Sequence, residues 1–284
     1  MNNIGFRADK NDALVILARI AMAQGNDKLA ADYLAQALTV APETAEEIFL
    51  LGELYCWQAQ QASVFAAVGL AKKCIAQYEA ALAMEGATTE MLVAALKFHM
   101  GMPFIAGGSS KKGKAYLQQL EALSPEHANV YKIHELQRDG ENSAALQLAD
   151  ELSAKGFQSA INQYEVAHYY RDNNAVDKAA SLFESLVDAS ITLSNRWYII
   201  DSLLQSGELA LLEGNPKKAI KRIESYKAKN QNPGDPHYFW ASWSLAKAYK
   251  MAGDLAQYNL LVNSIQAENY QADKAFALEF ERDR

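Results

Sequence analysis

The stretch NDALVILARIAMAQGNDKLAADYLAQALTVAP, residues 11–42, carries two apolar faces on either side of a break. Leu14, Leu17, Ala18 and Ala21 follow the i, i+3, i+4, i+7 spacing of one helix face, and Ala30, Leu34, Ala37 and Leu38 form a second. Between them Gly25-Asn26-Asp27 supplies a turn. Pro42 stops the second helix, because proline has no amide hydrogen for the preceding turn. The small side chains of Ala18 and Ala30 predict a close approach of the two backbones. The stretch reads as a helical hairpin.

The hairpin recurs. Leu51, Gly52 and Tyr55 repeat the first-helix positions, and Tyr78, Ala81 and Leu82 those of the second. Val166, Ala167 and Tyr170 precede Asn174, with Ala179 and Phe183 after it. Gly207 and Ala210 come before Gly214, with Ala219 and Ile223 beyond; Leu245, Ala246 and Tyr249 lead into Gly253. Two-helix units at a period of about 34 residues have the spacing of tetratricopeptide repeats, and these residues resemble that family over nearly the whole chain. The resemblance implies an all-α protein, a right-handed α-solenoid of about six or seven helix pairs that bury their apolar faces against one another. One superhelical domain, 1–284, is expected. It would hold N-terminal repeats at 1–87 with an insertion at about 59–71, irregular middle repeats at 88–156, and C-terminal repeats with a cap at 157–284.

Two departures narrow the resemblance. About ten extra residues lie between Tyr55 and Tyr78, within QQASVFAAVGLAKK, and predict a lengthened or broken connection. MPFIAGGSS, around Pro103, Gly107 and Gly108, interrupts the third unit's turn. A segment like ASVFAAVGLAKK before a repeat, with a turn like PFIAGG after the next helix, resembles a bacterial family of tetratricopeptide proteins that are usually exported and have no assigned reaction. Transport-associated proteins of the TRAP type are similar more weakly.

GSSKKGKA, residues 108–115, nearly spells a phosphate-binding loop. A working loop follows a buried strand, and its Ser or Thr after Lys holds magnesium. Here MLVAALKFHMG before it reads as a helix, and Ala115 has no side-chain oxygen. The repeat register instead makes Gly107-Gly108 an interhelix turn and Ser109 or Ser110 an N-cap, with Lys111, Lys112 and Lys114 on the solvated side. HELQR at 134–138 begins like H-E-x-x-H, but Arg138 replaces the second zinc ligand, and His99, His127, His168 and His237 have no paired i, i+4 spacing. KKAIKR at 217–222 reads as the solvated face of a second helix, with Ala219 and Ile223 inward. There is no G-x-S-x-G elbow and no dinucleotide fingerprint, so no enzyme, cofactor or metal is expected.

Lys plus Arg is 27 against 34 Asp plus Glu, a formal charge of -7. That balance argues against broad nucleic-acid binding, which needs many cations. No apolar run approaches the roughly 18 residues of a membrane span, and MNNIGFRADK lacks the apolar core of a signal peptide. The chain is then expected in the periplasm if a signal has been trimmed from it, as the family resemblance favours, and otherwise in the cytoplasm. Cys56 and Cys74 can form one bridge in an exported chain. The favoured expectation is two reduced, structural thiols, since the insertion leaves their separation unset and Cys packs readily as a small hydrophobe.

The function expected is a scaffold that binds a protein or peptide partner and helps assemble a complex; the alternative is a component that cups a small ligand for transport. The resemblance places first-helix residues on a concave surface, here Phe49, Glu53 and Trp57, then Tyr164, His168 and Arg171, then Trp240, Trp243, Lys247 and Lys250. Trp, Tyr and Arg are the types that dominate interface energies. For Trp240 and Trp243, filling space under a C-terminal cap is the competing role.

Overall fold

A computed structural model describes residues 13–14, 16–18, 20–21, 26–37, 42, 44–192, 195–230 and 237–284. Gly25 and Leu38 of the opening hairpin lie outside them. Among the described residues there is no strand, and helices follow one another in antiparallel pairs. The chain divides into two compact units, Met1–Lys132 and Ile133–Arg284.

In the first unit, described positions from 13 to 21 are helical. They are followed by α1 (Asp27–Ala37), α2 (Ala45–Gln61), α3 (Val64–Leu82), α4 (Thr89–Gly101) and α5 (Ser110–Leu123). The boundary falls within α6 (Pro125–Arg138). The second unit continues with α7 (Asn142–Lys155), α8 (Ala160–Asp172), α9 (Val176–Val187), α10 (Arg196–Leu212), α11 (Pro216–Lys229), α12 (Tyr238–Ala252), α13 (Leu255–Ala267) and α14 (Lys274–Asp283).

Local chemistry sets the boundaries. Helices begin with amides that lack intrahelical partners, and side chains accept from them at most starts. Thr44 and Glu47 form a reciprocal capping box at α2. Thr88, Ser159, Asn215 and Asp254 cap α4, α8, α11 and α13. The turn closing α8 uses Asn174 at φ 59°, where the turns closing α10 and α12 use Gly214 and Gly253. Asn tolerates this left-handed conformation better than other side chains.

Close packing within pairs follows from small residues on the first helix. A Cβ on Gly52 would lie 2.7 Å from the Tyr78 ring, and one on Gly207 would lie 2.5 Å from Ile223 Cγ1. Phe49, Cys74, Ile75, Tyr78, Met91 and Phe98 form the main core of the first unit. In the second, Ile200, Leu203, Leu204, Ile223, Tyr226 and Leu245 form one cluster, and Trp243, Ile265, Tyr270, Phe276 and Phe280 form another beneath α14.

Two expectations are corrected. The extra residues between Tyr55 and Tyr78 do not make a long connection: α2 reaches Gln61 and α3 starts at Val64. The inserted Ala, Leu and Lys residues are strong helix formers with no proline among them, so both helices simply lengthen. Cys56 and Cys74 are not free thiols but a disulfide, with Cα atoms 5.2 Å apart. A two-residue connection holds the long helices side by side and brings the two positions within bridging reach.

The loop before α5 is structural, as its glycines predict. Gly107 has φ 101°, and a Cβ on Gly108 would stand 1.7 Å from the Met102 carbonyl oxygen. Ser109 accepts from the Lys112 amide. Glu79 then ties α3 to its neighbours, bonding His99 at 2.9 Å and Lys112 at 2.5 Å.

Candidate functional site

The first helices of the C-terminal hairpins, α8, α10 and α12, share one register. Tyr164, His168 and Arg171 are spaced i, i+4, i+7 on α8; Asp201, Gln205 and Glu208 repeat that spacing on α10, and Trp240, Ser244 and Lys247 repeat it on α12. Side chains at this spacing share a helix face, and polar contacts link the three stripes into a seam.

Asp201 is the centre of the seam and is only 3% exposed. Its Oδ2 accepts from the Tyr164 hydroxyl at 2.6 Å and from Gln205 Nε2 at 3.0 Å, with His168 Nε2 at 3.9 Å. Arg171 donates to Gln205 Oε1, and its guanidinium also holds Asp172. Farther along α10, Glu208 accepts from Ser244 Oγ at 3.0 Å. On α12, Lys247 reaches Glu279 of α14 at 3.3 Å, and Trp240 Nε1 donates to Asp273 at 3.2 Å.

Asp201 is buried and Glu208 half-buried, and the two carboxyls differ in their support. Burial raises Asp201, but the hydrogen bonds from Tyr164 and Gln205 and the nearby His168 and His237 outweigh it and hold the group below its ordinary value. Burial also raises Glu208, and there the single bond from Ser244 does not compensate, so its affinity for a proton is increased. Tyr164 is raised by burial and by the Asp201 charge, which keeps its hydroxyl a donor.

Aromatic rings border the seam. Trp197 is 51% exposed and meets Tyr164 edge-on at 5.5 Å, with Tyr198 at 5.3 Å from Trp197. It gives this face an exposed indole, and Arg171 gives it a partly open guanidinium.

The expected groove residues fall into separate groups. Tyr164, His168, Arg171, Trp240 and Lys247 all belong to the seam or its continuation onto α14. Tyr164 is 7% exposed and acts as internal support, whereas Arg171 is partly open. Trp243 is 1% exposed, packed edge-on against Phe280 at 5.1 Å beneath α14. Lys250 lies over the Tyr258 ring at 4.9 Å. Phe49, Glu53 and Trp57 belong to the first unit: Phe49 is buried against Tyr78, Glu53 accepts from the Tyr78 hydroxyl, and Trp57 packs beside Ala18 and Leu54. Asp201, Gln205, Glu208 and Ser244 were not expected from the sequence. The available signal was the same i, i+4, i+7 register in RWYIIDSLLQSGELALL, where carboxylate, amide and carboxylate interrupt an apolar helix.

The remaining motifs have local roles. His134 stands 3.4 Å from Glu165, and Arg138 pairs with Glu135. Around KKAIKR, Ala219 and the following Ile223 are buried while Lys218 and Arg222 both pair with Glu184. Among the described residues, no group of three His, Cys, Asp or Glu side chains is arranged to hold a metal ion. No helix there is long and apolar enough to cross a membrane.

Two-helix units with a small residue seated against the partner helix, recurring at this spacing, define a protein of the tetratricopeptide-repeat type. No protein-family model matches the chain, and no curated protein matches it. Among solved structures it is similar to Pseudomonas aeruginosa PilF, at 13% identity and a TM-score of 0.47, over 98% of this chain and 99% of that one. A tetratricopeptide repeat protein from Parabacteroides merdae is similar at 15% identity and a TM-score of 0.41, over 96% and 98%. The human IFIT1 dimer with PPP-AAAA is similar at 14% identity and a TM-score of 0.46, over 94% and 72%. Likenesses this distant carry nothing about function, and the class rests on the repeats and helix pairs themselves.

Proposed function

We propose that the protein is a non-enzymatic scaffold that binds a protein or peptide segment along the first-helix face of its second unit and so helps assemble a complex. One observation carries the reading: the face built by α8, α10 and α12 is polar and hydrogen-bonded rather than apolar, yet it is bordered by the open Trp197 and Arg171. A helix face that served packing alone would be apolar; this one combines preorganised polar groups with the residue types that anchor interfaces. An oxidising compartment such as the periplasm fits the Cys56–Cys74 bridge, since disulfides are rare where thiols are kept reduced.

The test is photocrosslinking in the source cell from a probe placed at Trp197, followed by affinity measurement with the captured partner. Arg171→Ala combined with Trp197→Ala is expected to weaken that affinity by about 2–4 kcal/mol if both are hot spots, with an unchanged helical spectrum. Unchanged affinity in the folded double variant would move the site away from this face. Tyr164 is a poor choice for this purpose, because truncating it removes one of the two buried donors to Asp201.

A further inference from the structure

One end of the first unit is both apolar and cationic. Phe65 is 94% exposed and Phe104 is 90%, with Val64 at 79% and Ile105 at 66%. The disulfide register explains how the first pair reaches solvent. Ten residues of α3 precede Cys74, whereas five of α2 follow Cys56. The start of α3 therefore overhangs the end of α2 by about 7 Å, at 1.5 Å per residue, and Val64 and Phe65 form its tip.

The second pair lies on the short 3-10 turn Phe104–Ala106. Gly107, next in the chain, sits against Lys72 and Ile75 of α3. Lys72 is two helical turns from Phe65 on the same stripe, so the overhang and the turn flank one lysine. No Asp or Glu occurs between Leu54 and Tyr78 or between Met91 and Leu120. Lys72, Lys111 and Lys114 are exposed there, while Lys112 is held by Glu79. In a chain of formal charge -7 this end is locally positive.

We propose that this end of the first unit seats on an anionic lipid surface. Val64, Phe65, Phe104 and Ile105 enter the boundary between headgroups and acyl chains, and Lys72, Lys111 and Lys114 meet the lipid phosphates. Both apolar features project from the fold as tips rather than lining a groove, and a deformable headgroup layer receives such tips without a matching concave surface. Lys72 between them, with Lys111 and Lys114 at the start of the helix that follows the turn, supplies the complementary charge. This surface is separate from the polar seam, and either can fail without the other.

The test is cosedimentation of the full chain with phosphatidylcholine vesicles and with the same vesicles containing phosphatidylglycerol. Pelleting is expected only with phosphatidylglycerol and should decline with added salt. Phe65→Ser combined with Phe104→Ser should reduce partitioning about tenfold or more, because binding scales with the apolar area buried. Lys72→Gln with Lys111→Gln and Lys114→Gln should reduce it comparably. All five positions are exposed, so circular dichroism should be unchanged. In the Phe65→Trp variant, the emission of the added indole should shift to the blue on anionic vesicles. A chain that stays in solution with phosphatidylglycerol vesicles overturns the proposal, as does wild-type partitioning by the double Phe variant. Phe65-dependent binding to an acidic protein, with none to vesicles, also overturns it and assigns this end to a protein partner.

Discussion

Asp201 and Glu208 stand on one helix, the first buried and the second half-buried, and are expected to respond to acid in opposite senses. Asp201 is held below its ordinary value in the fold, so it contributes stability that is complete above about pH 4 and lost as the pH falls through the lower folded value. Asp201→Ala leaves the Tyr164 hydroxyl and the Gln205 amide buried without their acceptor. It is expected to cost about 3 kcal/mol at neutral pH, read by urea denaturation. Glu208 is raised, so the fold takes up its proton more readily than the unfolded chain and carries a penalty at neutral pH. Glu208→Gln keeps an acceptor for Ser244 and removes that penalty. Its melting temperature should exceed wild type at neutral pH, and the difference should disappear on acidification. A gain that grows as the pH falls would mean that the fold lowers this group rather than raising it.

At the scale of helices, the sequence is most legible where packing depends on size and turns. Gly52 and Gly207 were placed by register alone, and both prove to touch the partner helix. Gly207→Ala drives a methyl into Ile223 and is expected to cost about 1–3 kcal/mol, measurable as a lower thermal midpoint; no change would mean that the pair is looser than this geometry. The loop at Gly107-Gly108 was legible for the same reason. The bridge between α2 and α3 was not, because an insertion states how many residues are added but not whether they extend a helix or form a loop. Replacing Cys56 and Cys74 together by serine is expected to lower stability by about 3 kcal/mol, and reductant should affect the wild type only. The candidate site was half legible. α8 contributed the aromatic and basic residues that attract notice, while α10 supplied their partners from positions that look like interruptions of an apolar helix. Burial, which single-sequence periodicity does not report for polar residues, separates a support such as Tyr164 from a contact surface such as Trp197.

For the whole chain, far-ultraviolet circular dichroism should show helix without appreciable strand, and substantial strand signal would remove the repeat assignment. The two cysteines also have a consequence for how the chain acquires its covalent form. They are the only ones in this sequence and lie 18 residues apart across a two-residue turn. A single pair has one possible intrachain pairing, and its partners meet as soon as α2 and α3 form, with little loop entropy to overcome. Thiol trapping during refolding of the reduced chain in oxidised glutathione should therefore show one monomeric oxidised product, reached without scrambled species. Such a chain requires an oxidant for its maturation but no disulfide isomerase, and the α2–α3 hairpin can be locked before the downstream repeats are in place.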